Sequence, residues 1–323
     1  MHEPISGQVY ATFYLILGAV GVPANVLAIV ILTRGKCGLS KCITYYLVAM
    51  AVSDLMVIVT SVILNRIFSV YFPASFLSIT PVCCLKTVLL YAAKDSSVWL
   101  TVAFTFDRCV AICCQKLKTK YCTERTAAVV IGVVCTLSCL RSIPWYFAFT
   151  PLYVFNNVPC YCNFKSDFYT SPPWIAFAMV NLVGTPFLPI FLILLFNAWT
   201  VRHILVSSRI RRALLGKKIA ECGNDSEMEN RRQSIILLLA ISANFILLWL
   251  TFVAHFIFAR INASYIYSTS NPMFVFAEAG YMLLLLSCST NTCIYAVIQV
   301  KFREEMKYII IYPLRQIVKL FKP

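Results

Sequence analysis

A small set of ionisable side chains stands inside long apolar stretches of this 323-residue chain: Asp54, Lys94, Asp95, Asp107, Arg108, Arg141 and Glu278. In hydrocarbon a centred charge costs roughly 2.5–3.5 kcal/mol on insertion scales, so each must reach an interface, meet a counter-charge or hold a ligand. Asp107 and Arg108 close some twenty-five mostly uncharged residues and should mark one face of a membrane. Asp54 is a lone carboxylate that would be protonated or find a cation, helped by hydroxyls on neighbouring helices. Asp95 and Arg141 could pair between adjacent helices, or Arg141 could snorkel to the interface. A Ser/His/Asp set, a phosphate loop and paired catalytic carboxylates are all missing from the pattern. Only His2, His203 and His255 could serve as imidazole bases, so no enzyme is indicated. No His or Cys cluster has metal-ligand spacing.

The elements that must carry these groups follow from composition. With 60% hydrophobic residues, 13% charged and a mean hydropathy of +0.79, the chain has more apolar surface than a soluble domain can hide. Seven apolar stretches, 9–33, 44–72, 82–114, 126–149, 173–201, 234–258 and 272–300, each exceed the roughly 20 residues of a spanning helix. Helices alone satisfy their backbone at such lengths, which predicts an all-α membrane protein, a seven-transmembrane helix bundle. If Arg108 is cytoplasmic, 22 of the 28 Lys and Arg residues fall on that side, placing the N-terminus outside. The net charge of +15 is then a topology signal rather than a nucleic-acid footprint. Residues 1–9 lack the basic n-region of a cleavable signal peptide. Of fifteen cysteines, only Cys83, Cys84, Cys160 and Cys162 fall on the outer face.

Motifs on these stretches carry a resemblance. Thr105-Phe106-Asp107-Arg108-Cys109, with Cys83 twenty-five residues before Arg108, resembles the third helix of rhodopsin-like (class A) G protein-coupled receptors and its Asp/Glu-Arg-Tyr end. Asn25 follows Gly18 and Pro23 in the first span, and Leu47 to Leu55 resembles the second-helix Leu-Ala-x-x-Asp-Leu. Leu248-Trp249-Leu250-Thr251 resembles Cys-Trp-x-Pro, and Asn291-Thr292-Cys293-Ile294-Tyr295 resembles Asn-Pro-x-x-Tyr. Pro189 is the better match than Pro186 to the fifth-helix proline. Lys301-Phe302-Arg303 matches the start of a short amphipathic eighth helix lying on the inner surface with Phe302 and Met306 down. Departures are Cys109 for Tyr, Asn197 for Tyr, Thr251 and Thr292 for Pro, and a fourth span without its Trp.

The resemblance implies a receptor, with residues 1–8 extracellular, 9–300 the seven-helix domain and 301–323 the amphipathic helix and tail. It implies a disulfide from Cys83 to Cys160 or Cys162, and helices one, two and seven tied by Asn25. A sodium ion at Asp54, Ser97, Ser287 and Asn291 is a further implication; no other cofactor is expected. Activation and coupling to a heterotrimeric G protein fall to Asp107, Arg108, Trp249, Asn291 and Tyr295. An extracellular ligand, peptide or small and amino-acid-like, would meet Leu90, Lys94, Asn181, Trp249, His255 and Glu278. Leu90 stands where amine receptors carry an Asp, and residues 96–101 and 245–249 look most like an orphan branch of aromatic amino-acid-sensing and peptide-related receptors.

Arg231 replaces the acid that restrains Arg108 in many such receptors, so raised basal signalling is expected. Asn262-Ala263-Ser264, in the loop after the sixth span, is the expected glycosylation site, in preference to Asn224. The stretch from Lys301 on has no Ser or Thr. Arrestin would therefore read the third inner loop, while the apolar and basic tail residues contact anionic membrane lipids. The competing readings are a receptor-fold decoy without coupling and, more remotely, a small transporter.

Overall fold

A computed structural model describes residues 5–73, 75–168, 170–215, 225–261 and 272–320. The seven spans are α1 (Ile5–Thr33), α2 (Lys41–Tyr71), α3 (Thr80–Cys113), α4 (Glu124–Ser142), α5 (172–215), α6 (Asp225–Ile261) and α7 (Pro272–Ile298), and α8 (Val300–Leu320) follows after Gln299. A short helix, Gln115–Tyr121, joins α3 to α4. All seven are long and apolar enough to cross a membrane, so the chain is a multi-pass membrane protein.

Starts and stops obey local chemistry. The Ser40 hydroxyl accepts from the Ile43 N–H (3.4 Å) and that of Thr123 from the Thr126 N–H (3.2 Å), capping orphan donors of α2 and α4. Pro81 and Pro172 sit in the first turns of α3 and α5, where no donor is lost. Two spans are not regular. Residues Ile58–Ile67 of α2 form a π-helical segment, and α5 is interrupted at Val183–Phe187, where Thr185 is extended and Pro186 follows it. Pro186 rather than Pro189 therefore breaks the fifth span; Pro189 lies in the first turn of the segment Leu188–Leu215 and costs it nothing. α6 runs unbroken through Thr251 and α7 through Thr292, as expected where two kink prolines are replaced.

Between α4 and α5 the chain forms two small antiparallel pairs, β1 (Phe149–Thr150) with β4 (Asn163–Phe164) and β2 (Tyr153–Phe155) with β3 (Val158–Cys160). Asn156 and Asn157, both at positive φ, make the β2–β3 turn, the backbone that Asn tolerates best after glycine. Beneath them Trp145 stacks on Tyr91 (4.1 Å) and packs on Phe164, Phe168 and Phe177.

The bundle has two apolar cores. One, near Trp249, gathers Ile58, Val98, Val102, Ile193, Phe245, Leu284 and Leu285; the other, near Arg108, gathers Tyr46, Leu47, Leu100, Phe104, Ile241, Tyr295 and Phe302. Phe302 is fully buried against Tyr295 (5.8 Å), so the first turn of α8 is fastened into the bundle and not only laid on lipid. Where helices touch, a missing side chain matters. A Cβ on Gly280 of α7 would stand 2.9 Å from the Phe252 Cα of α6, and one on Gly21 would stand 2.5 Å from the Ser289 hydroxyl. Lipid gives no hydrophobic drive to helix pairing, so such close approaches and the polar bonds below hold the helices together.

Candidate functional site

At the end away from Arg108, the Cys83 Sγ is bonded to Cys162 in the loop before α5. Cys160 takes no part: its thiol is free and donates to the Val158 carbonyl at 3.4 Å. Two charged clusters lie below that bond. In the first, Asp95 receives Arg141 (2.9 Å) and the Thr185 hydroxyl (2.7 Å), and Arg141 also donates to Thr185 (2.5 Å). The α5 break presents Thr185, and Gly184 beside it leaves room for the guanidinium, which would strike any Cβ there. Of the two expectations for Arg141, the interhelical pair is the one the structure contains. Lys94 lies over the Tyr91 ring at 4.4 Å.

The second cluster is not foreshadowed by any motif. Glu278 binds Arg66 (2.9 Å) and accepts from the Tyr14 hydroxyl (3.0 Å), and Arg66 also lies 5.2 Å from the rings of both Tyr14 and Tyr281. Glu278 is thus already neutralised by α1 and α2. Its partners are 212 and 264 residues away in sequence, with no spacing signal to reveal them.

Trp249 lies beneath both clusters, 2% exposed and tilted against Phe245 at 5.0 Å. Its indole N–H donates to the Ser287 hydroxyl at 3.2 Å, coupling α6 to α7. The Ser287 hydroxyl spends its own proton on the Leu284 carbonyl of its helix at 2.6 Å, so it does not donate to Asp54. That carboxylate, 1% exposed, receives Ser97 (2.5 Å) on one oxygen and the Asn291 amide (2.8 Å) on the other. Three of the four groups expected there converge, and Ser287 leaves the set. Asn25 donates to the Gly21 and Cys288 carbonyls, both at 2.9 Å, and the Thr292 hydroxyl donates to the Ala24 carbonyl at 3.1 Å. Asn25 therefore ties α1 to α7, with no bond to α2. Thr292, standing where a proline is expected, adds a second stitch.

At the other end Arg108 is 6% exposed and held by Asp107 through its Nε (3.0 Å) and one Nη. The Cys42 thiol donates to Asp107 at 3.4 Å and the Cys122 thiol to its carbonyl at 3.7 Å. Burial first, then the Asp107 charge, pushes the Cys122 thiol up to about 11. Among the described residues Asp107 is the only ion-pair partner of Arg108; the side chains of Arg231, Asn262 and the tail beyond Ile311 lie outside them.

The other ligand candidates are scattered. Leu90 is buried on α3, Asn181 spends its amide on the Phe177 carbonyl of its own helix (2.8 Å), and His255 meets Phe276 edge-on at 5.7 Å. Tyr295 is buried with its hydroxyl unbonded.

Seven spans wrapped on a polar axis, with a disulfide at one end and an Asp-Arg pair at the other, are the build of a seven-helix membrane receptor. The chain belongs to the 7 transmembrane receptor (rhodopsin family), whose profile matches residues 24–295. That family consists of receptors, not enzymes. Relatives include the tachykinin-like peptides receptor 86C of Drosophila melanogaster, 24% identical over 94% of this chain and 58% of its own length. Human G-protein coupled receptor 39 is 24% identical over 90% of this chain and 70% of its own length. The human thyrotropin-releasing hormone receptor is 31% identical over 41% of this chain and 33% of its own length. The chain thus spans a little over half of the fly relative.

Proposed function

We propose that this protein is a cell-surface receptor, N-terminus outside, that takes a peptide or a small amino-acid-like molecule between its outer loops and Trp249 and activates a heterotrimeric G protein at Arg108. One observation carries the reading: the Trp249–Ser287 bond sits next to the Asn25–Cys288 and Asp54–Asn291 bonds, so a displacement of α6 reaches α1, α2, α3 and α7 together. Relatives named for peptide ligands, together with the basic bias of the Arg108 face, favour a peptide and that orientation. The disulfide agrees, since such bonds persist in oxidising compartments. Binding shifts a pre-existing equilibrium by no more than the ligand's differential affinity for the two arrangements. For a sodium ion, Asp54 and Ser97 offer the hard oxygens required, and its part would be to neutralise the buried carboxylate; Ser287 is engaged elsewhere.

The test is nucleotide exchange on a panel of Gα subunits driven by a peptide library, comparing wild type with Arg108→Ala at matched surface expression. Exchange by the wild type and at least tenfold less by the variant is expected. Saturable peptide binding with no exchange on any Gα would replace coupling with a decoy role.

A further inference from the structure

Beside the axis just described lies a separate cavity of about 280 Å³, tucked under the Cys83–Cys162 bond between α2, α3 and the loops that follow α2 and α4. Its apolar wall is Leu64, Phe68, Leu77 and Phe149, and its polar side includes Lys86 and Ser75. None of the groups discussed at Trp249 or Asp95 lines it. At this size it is smaller than a typical whole-ligand site and suits one group of a ligand.

Lys86 is the unusual member. It is only 8% exposed, yet no carboxylate is within ion-pair distance among the described residues, and its ammonium has a single protein acceptor, the Leu64 carbonyl at 3.2 Å. That acceptor lies in the π-helical segment of α2, where the Phe68 N–H bonds back five residues to the Ile63 carbonyl. One carbonyl answers one of the three ammonium protons. The buried Ser75 hydroxyl on the same cavity has no hydrogen-bond partner among the described residues. A buried cation with unfilled donors and an unspent hydroxyl beside an apolar wall lacks one thing: an anion bearing an apolar body.

We propose that this cavity is a binding subsite for a carboxylate carried on an apolar group, with Lys86 as its counter-charge and Ser75 as a second donor. Two sources share that chemistry, a free arylalkyl or alkyl acid and the terminal carboxylate of a peptide ending in an apolar residue. The carboxylate assignment stands on the cavity, while its exposure to extracellular ligands rests on the receptor reading.

The experiment is thermal unfolding of the full chain in lipid nanodiscs, followed by tryptophan fluorescence, with titration of 4-phenylbutyrate against 4-phenylbutyramide and of Gly-Gly-Phe against its C-terminal amide. The acid of at least one pair should raise the melting temperature and its amide should not; which pair responds identifies the source. Lys86→Arg should keep the shift, and Lys86→Gln should need at least about tenfold more acid, the loss of one charge-assisted contact. Equal shifts from acid and amide, or an unchanged titration in Lys86→Gln, overturn the proposal. If Lys86→Gln cannot be purified, Leu77→Trp, which fills the cavity, must abolish the shift, and an undiminished shift there is equally fatal. An intact acid shift in a protein that drives no nucleotide exchange would sink the coupling reading alone; coupling without the shift would sink the subsite alone.

Discussion

The Asp95–Arg141–Thr185 cluster gives a quantitative measure of what holds the disulfide-bearing half of the bundle together. Only 4% of the Asp95 side chain and 25% of that of Arg141 are exposed, so neither charge is well hydrated. Removing one member of such a pair strands the other and costs about 3–5 kcal/mol, whereas replacing both with apolar groups is often nearly neutral. The partial exposure of Arg141, and the modest worth of many polar contacts in membrane bundles, favour the low end. Asp95→Leu and Arg141→Met should therefore each cost about 3 kcal/mol. The double variant should cost about 1–2 kcal/mol, mainly for the stranded Thr185 hydroxyl. The cycle thus falls short of additivity by about 4 kcal/mol, and contacting residues are where such failures are expected. Equilibrium unfolding by sodium dodecyl sulfate in mixed micelles, read by tryptophan fluorescence, measures all four proteins. If the two single costs simply sum in the double variant, the pair is not coupled and the reasoning fails.

Two further outcomes follow from topology and from the Arg108 end. Peptide-N-glycosidase should shift the mobility of the wild type and not of Asn262→Gln, while a shift that depends on Asn224 would invert the orientation. The Cys122 thiol, raised from 9.0 to about 11 by burial and the Asp107 charge, carries about a hundredfold less thiolate at neutral pH than an ordinary cysteine. Pulsed iodoacetamide labelling mapped by mass spectrometry should show Cys122 alkylated about a hundredfold more slowly in the native than in the denatured chain. Because folding favours the neutral thiol, its contribution to stability is full below about pH 9 and is lost as pH rises toward 11. Equal labelling rates in the two states would contradict the burial argument.

How much of this was legible in the sequence depends on whether the signal was local. The seven spans were, since length and hydropathy are properties of single segments, and the helices in the structure overlap every predicted stretch. Asp54, Ser97 and Asn291 were brought together by resemblance, and Asp95 with Arg141 by the need of each for a partner. The one-turn spacing of Ser287 from Asn291 says nothing of the indole N–H that it accepts or of the Leu284 carbonyl to which it donates. Arg66 and Lys86 are among the six Lys and Arg residues off the Arg108 side, and the partners of both depend on tertiary packing: Glu278 in one case, the Leu64 carbonyl of the neighbouring helix in the other. Pro189 matches the family's fifth-helix proline by its eight-residue spacing to Asn197, but that spacing does not locate the break, which is set by the extended backbone at Thr185 before Pro186. The Asn156-Asn157 turn carried a readable signal, yet strands of three residues offer too little alternation to draw the eye.

The contact of Gly280 with Phe252 has a mechanical meaning. Two helix backbones that touch cannot slide or separate at that level without losing the contact, so α6 has a fulcrum there. Its arms are unequal. From Phe252 to Ile261 is nine residues, about 14 Å, and from Phe252 back to Arg232 is twenty, about 30 Å at the helical rise. A tilt that moves the short arm by 1 Å moves the long one by about 2 Å in the opposite sense, and an unbroken α6 bends little between them. Replacing a proline hinge with Thr251 thus exchanges a flexible joint for a rigid lever whose gain is fixed by the position of one glycine.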